Sequence, residues 1–162
     1  MRDDDFERLY AEHARTLLKF LIYRTGDRVL AEDLAADTFE RALRKRRLFD
    51  ARRGNSRKWL FAIALNLVRD HARRQTVERR ALEGSAVGTS TGTEGGLERV
   101  EHRDRLARAL SELSPPDRDL VALKFGAGLS VAEIAEAIHQ NPTAVESRLY
   151  RALRKLRALG VD

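Results

Sequence analysis

Between Glu83 and Glu98 the chain reads EGSAVGTSTGTEGGLE, and this segment limits the fold more than any other. It holds five of the ten glycines and five Ser or Thr, with no aromatic residue. Such a composition cannot bury enough apolar surface to offset the entropy lost on ordering, so it reads as a flexible linker. The 162 residues divide into a part of 82 residues (1–82) and a part of 64 (99–162). With 43% hydrophobic residues, each part can build a small core of its own.

Both parts carry helical periodicity. Phe6, Leu9, Tyr10, Leu17, Leu18 and Leu21 fall at helical spacing, followed by a break at Thr25-Gly26-Asp27. A second helix, from about Val29 to Arg46, places Leu30, Leu34, Phe39 and Leu43 on its apolar side. A basic loop, Arg52-Arg53-Gly54-Asn55, precedes a third helix that begins near Ser56 and aligns Leu60, Ile63, Ala64, Leu67 and Val68. After the linker, Ser114-Pro115-Pro116-Asp117 supplies an N-cap, a proline at the first helical position and a carboxylate three residues after the cap. Gly126 and Gly128 end that helix. Ser130-Val131-Ala132-Glu133 is a capping box for a short helix, and Asn141-Pro142 caps a longer one with Val145, Leu149, Ala152, Leu156 and Leu159 in phase. These two helices meet across His139-Gln140-Asn141, the length of a helix-turn-helix. No β-alternation of comparable length occurs, so the expected fold is all-α, two small helical domains joined by a linker.

Charge is unevenly distributed. The 31 Lys plus Arg exceed the 25 Asp plus Glu by six, but segment 1–82 carries +7, the linker −3 and segment 99–162 only +2. Only five of the basic residues are Lys. The absence of Cys removes disulfides, thiolate metal sites and cysteine nucleophiles, and fits a reducing compartment. No apolar run approaches the about 18 residues of a membrane span. The acidic start Met1-Arg2-Asp3-Asp4-Asp5 is unlike a signal peptide, so a cytoplasmic protein without membrane insertion is expected. His13, His71, His102 and His139 show neither ligand nor triad spacing, and no glycine-rich phosphate loop is present. An enzyme is not expected.

Three surfaces then stand out, each with a plainer alternative. Ser147, Arg148, Tyr150, Arg151, Arg154 and Lys155 lie away from the core stripe of the last helix. That arrangement suits a recognition helix, with polar tips for base edges and cations for phosphates, or else a solvated basic face. Trp59, the only Trp, stands behind the basic loop on a helix carrying Arg57, Lys58, Arg69, Arg73 and Arg74. It can stack on an unpaired base or anchor the helix entry in the core. Glu32, Asp33, Asp37 and Glu40 form an acidic run with Arg41 and Arg44 within one turn. A salt-bridged solvated face accounts for it better than a metal site, and a docking patch for a basic partner is the third option.

On these residues the whole chain resembles a bacterial extracytoplasmic-function (ECF) sigma factor of the sigma-70 family, with a region 2 helical bundle and a region 4 helix-turn-helix. Ala31–Ala42 (AEDLAADTFERA) is similar to the family's core-polymerase-binding helix. Arg57–Asn66 (RKWLFAIALN), continued through Asp70 and Arg73-Arg74, is similar to its promoter-melting helix. Leu113–Arg118 (LSPPDR) and the stretch from Ser130 to Leu156 resemble region 4. The resemblance implies that Asp33, Asp37, Glu40 and Arg41 face the clamp helices of the largest subunit of RNA polymerase core. It implies that Arg52, Arg53, Asn55, Lys58, Trp59, Asn66, Arg69 and Arg73 bind and melt the −10 element. Glu146, Ser147, Arg148, Tyr150, Arg151 and Lys155 would read the −35 element. An anti-sigma factor is a further implied partner; no metal or cofactor is implied.

Three positions depart from the family pattern. Ala36 stands where Gln is frequent, and Thr143-Ala144-Val145-Glu146 replaces a recognition-helix start of Gly-Thr-Val followed by Lys or Arg. His139 occupies the place of the usual turn glycine. A carboxylate such as Glu146 accepts from cytosine N4 but repels phosphate, which implies an unusual −35 sequence. A linker of this kind spans about 22 Å at rest and about 55 Å extended, enough to bridge two elements one DNA turn apart. Two other readings remain, a free-standing helix-turn-helix regulator and a sigma mimic that titrates an inhibitor.

Overall fold

The structure, a computed structural model, describes residues 1–52, 54–82 and 97–161, with side chains from 104 onward in the last stretch. Arg53 and most of the segment read as linker, 83–96, lie outside the described residues. The first half is a three-helix unit. Helix α1 (Asp3–Thr25) ends at Gly26, whose φ of 68° reverses the chain into α2 (Arg28–Arg44). Asp27 caps α2, its carboxylate accepting from the Leu30 N–H at 3.2 Å. A 3₁₀ turn (Arg46–Leu48) leads to α3 (Ser56–Ala81), which packs on both earlier helices. Of the residues expected from periodicity, Leu17, Leu21, Leu34, Leu60, Ala64 and Val68 are buried; Phe20 and Phe61, outside that expectation, are buried with them, their rings meeting edge-on at 5.6 Å. Leu43 and Tyr10 differ from expectation. Both are exposed, because each stands at the margin of its helix's apolar stripe.

The second half begins with α4 (Leu97–Ser111), two residues inside the segment read as linker. Helix α5 (Pro115–Val121) starts on the Ser114 cap and the proline pair, as the sequence indicates. It does not stop cleanly at Gly126. It widens into a π-turn over Ala122–Gly126, closed by the Ala127 N–H donating to the Ala122 carbonyl at 3.0 Å. Helix α6 (Val131–Ile138) opens on the full Ser130/Glu133 capping box, and α7 (Pro142–Ala158) on Asn141. His139 holds the turn between them at φ 56°, ψ 47°, the left-handed conformation in which glycine is usual.

The two halves are docked against each other. The π-turn and α5 pack on α1, α4 touches α1, and α6 lies against α3, so buried side chains form one continuous cluster. Gly126 marks the closest approach: a Cβ there would lie 2.8 Å from Phe20 Cα, so only glycine allows this contact.

Candidate nucleic-acid interface

Helix α2 presents Asp33, Asp37, Glu40 and Arg41 to solvent, because Ala31, Leu34, Thr38 and Ala42 take the buried side. Glu40 pairs with Arg44 at 2.5 Å and Glu32 with Arg28 at 3.2 Å, each across one helical turn. Asp33 and Asp37 enter no ion pair among the described residues. No cluster of possible metal ligands occurs there either. The face is therefore only partly salt-bridged, and two neighbouring carboxylates one turn apart remain available to an external cation.

Helix α3 carries a polar stripe on the side away from its core. Asn55 caps it, accepting from the Lys58 N–H at 2.7 Å, so this side chain holds the basic loop against the helix. Arg52 is exposed and its backbone N–H donates to Asp50 at 2.9 Å. Trp59 is half-buried, its ring 5.2 Å from Phe49. It packs at the edge of the core, partly buried against it. Asn66 is exposed farther along, and Arg73 is ion-paired with Asp70.

Helix α7 buries Val145, Leu149, Ala152 and Leu156 and exposes Glu146, Ser147, Tyr150 and Arg151 on its outer face. Tyr150 is 61% exposed, with the Arg154 guanidinium 6.0 Å from its ring. Arg148 and Lys155 are more constrained. Arg148 reaches Asp117 at 3.2 Å and Gln140 at 3.3 Å, clasping the turn to α5. Lys155 donates to the Glu112 carbonyl at 2.8 Å.

The seam between the halves gathers charges whose meaning the sequence did not disclose. Asp119 is buried and receives two arginines, Arg24 Nε at 2.5 Å and Arg69 Nε at 3.2 Å. Arg24 is itself 6% exposed. Beside them, burial and the neighbouring Arg24 charge push the Arg118 guanidinium below its ordinary range. Farther along α3, Arg57 donates to the Ala127 carbonyl at 2.7 Å and stands 3.8 Å from Glu133, while Lys58 is ion-paired with Glu136. Glu133 accepts the Ser130 N–H, which holds its carboxyl below the usual range, with the Arg57 and Lys58 charges acting in the same direction. The family resemblance places Lys58 and Arg69 on a DNA surface, and it gives no indication of Arg24, Asp119, Glu133 and Glu136 as their environment. One signal was present: Arg24 is in phase with Leu17 and Leu21 on the core stripe of α1.

Residues 9–77 match the model for sigma-70 region 2, and residues 103–156 that for sigma-70 region 4. Over 163 aligned residues the chain is 34% identical to the ECF RNA polymerase sigma factor BldN of Streptomyces coelicolor, covering 98% of this chain and 61% of that protein. It is 33% identical to the ECF sigma factor SigL of Mycobacterium tuberculosis, over 92% of this chain and 85% of that one. Among solved structures it resembles the sigma factor RpoE in complex with the anti-sigma factor NepR from Bartonella quintana, with a TM-score of 0.77, 26% identity and 96% of each chain covered. CnrH in complex with the cytosolic domain of CnrY gives a TM-score of 0.75 at 28% identity, over 98% of this chain and 88% of that one.

Proposed function

The chain belongs to the extracytoplasmic-function sigma factors of the sigma-70 family, which direct promoter-specific transcription initiation, and from that premise we propose how its surfaces divide the work. The acidic face of α2, with Asp33, Asp37, Glu40 and Arg41, docks on the clamp helices of core RNA polymerase. The exposed, ion-pair-free carboxylates Asp33 and Asp37 carry this reading, since a free-standing regulator has no use for such a pair beside a cationic helix. The basic loop and the polar stripe of α3 engage the −10 element: Arg52, Arg53, Asn55 and Trp59 around an unstacked base, Lys58, Asn66, Arg69 and Arg73 along the strand. On α7, Glu146, Ser147, Tyr150 and Arg151 face base edges in the −35 major groove, while Arg148 and Lys155 stand at its margin. The protein acts in the cytoplasm as a polymerase subunit rather than as an enzyme. No described helix is long and apolar enough to cross a membrane.

Run-off transcription with purified core polymerase, on a fragment carrying the chain's own upstream region, tests the assignment. Transcript that depends on the protein is expected; none, together with no complex with core, overturns the reading. Arg151→Ala should reduce promoter binding at least about tenfold, the loss of one good base contact, while core binding is kept. Asp37→Arg should do the reverse. Loss of both activities in each variant would mean that the surfaces are misassigned.

An anti-sigma partner is a second element of the proposal. A solved relative of similar shape, the sigma factor RpoE, is in complex with the anti-sigma factor NepR, which supports an equivalent partner for this chain. Co-purification of a stoichiometric complex that blocks run-off transcription is the expected result.

A further inference from the structure

Glu146 is the fifth residue of α7 and is exposed. Its carboxylate enters no ion pair or hydrogen bond among the described residues. The helix does not need it as a cap, because Asn141 fills that role by accepting from the Thr143 N–H at 2.8 Å. Its neighbours one turn away, Pro142, Thr143, Leu149 and Tyr150, include no cation. Arg148 lies about 200° farther round the helix, where Asp117 and Gln140 hold it. The fold thus gives this carboxylate neither a cap nor a salt bridge to serve, and a full negative charge faces whatever α7 meets.

Against DNA such a charge is repelled by phosphates and is favourable only where it meets a hydrogen-bond donor. Residues near the start of a recognition helix are the ones that reach base edges, and Glu146 opens the second turn of α7. In the major groove guanine presents two acceptors, and thymine an acceptor and a methyl group. Adenine presents its N6 donor beside the N7 acceptor. Cytosine presents its N4 donor alone. A carboxylate only accepts, so cytosine is the one base that matches it with nothing to repel it. We infer that Glu146 is a specificity-determining residue of the −35 contact: it selects a cytosine by accepting from N4, and it rejects guanine and thymine most strongly. Their oxygens would leave the carboxylate desolvated and unpaired, so exclusion contributes as much as attraction. The inference rests on the assignment of α7 to the −35 element.

Holoenzyme reconstituted from core polymerase and the full-length chain provides the test. Fully randomised duplexes are selected by binding at fixed salt, sequenced and aligned to give the preferred base at each −35 position. The unsubstituted chain should select one cytosine whose identity depends on residue 146. Glu146→Gln keeps the size of the side chain but adds an N–H donor, and such an amide pairs with adenine N6 and N7. Its motif should match that of the unsubstituted chain except for adenine in place of that cytosine. Glu146→Lys offers only donors and should select guanine there. In competition between duplexes differing at this base pair alone, the unsubstituted chain should favour cytosine over thymine at least about tenfold. An unchanged motif in both variants, with Arg151→Ala still relaxing one position, overturns the inference and leaves the −35 assignment standing. So does a response at a position where the unsubstituted chain prefers a base other than cytosine. A motif unchanged by any of the three variants overturns the −35 assignment itself.

Discussion

His139 shows how a single residue can depart from its family pattern and still hold its place. At φ 56° it closes α6 with the Gln140 N–H donating to the Ala135 carbonyl at 2.9 Å, the bond that a C-terminal glycine ordinarily permits. A side chain in that region costs energy that glycine avoids, although glycine also loses more entropy on folding. His139→Gly should therefore stabilise the chain by about 0.5–1 kcal/mol in urea unfolding, without altering helix content. The departure was legible in the sequence; its backbone conformation needed the fold. Asn141 is the opposite case, since its capping role follows from position alone and the geometry agrees; Asn55, expected as part of the basic loop, turns out to cap α3 as well.

At the scale of the element, α6 is the shortest helix of the helix-turn-helix and depends most on its cap. Eight residues are too few for propensity to sustain, so the Ser130/Glu133 box and burial of Ile134 and Ala135 hold it. Ser130→Ala should cost about 1 kcal/mol of stability in urea unfolding. Glu133 adds a pH dependence. Its folded pKa is depressed, so the stability it contributes is complete above the unfolded value of about 4.3 and is lost as pH falls through the folded one. Glu133→Gln keeps the box but removes the charge; the stability gap to the unsubstituted chain should be present at pH 7 and shrink below about pH 4.3. His13 acts nearer neutrality. Burial lowers its pKa, the unfolded chain takes the proton first, and stability should begin to fall below about pH 6.5. His13→Gln should flatten that limb of the unfolding curve.

For the whole molecule, the docking of the two halves converts local charges into a conformational question. Removing one partner from a buried ion pair ordinarily costs about 3–5 kcal/mol. Here Arg24 can regain water if the halves separate, so the cost is capped by the free energy of opening. Asp119→Ala should accordingly enlarge the radius of gyration in solution scattering while circular dichroism retains the helix content. Collapse of helix content along with the expansion would instead make Asp119 a requirement for folding. The sequence by itself determined most of the helices and their caps, because periodicity, proline placement and capping are local properties; the DNA and polymerase surfaces it implied only through the family resemblance. Leu17 and Leu21 announce a core face within one helix; nothing local shows that Arg24, in phase with them, will meet a carboxylate 95 residues away. Nor does a sixteen-residue glycine-rich segment say whether the parts it joins stay apart. That was decided by tertiary packing alone, because Gly126 against α1 and Asp119 between two arginines are long-range complementarities of shape and charge, fixed only when both surfaces exist.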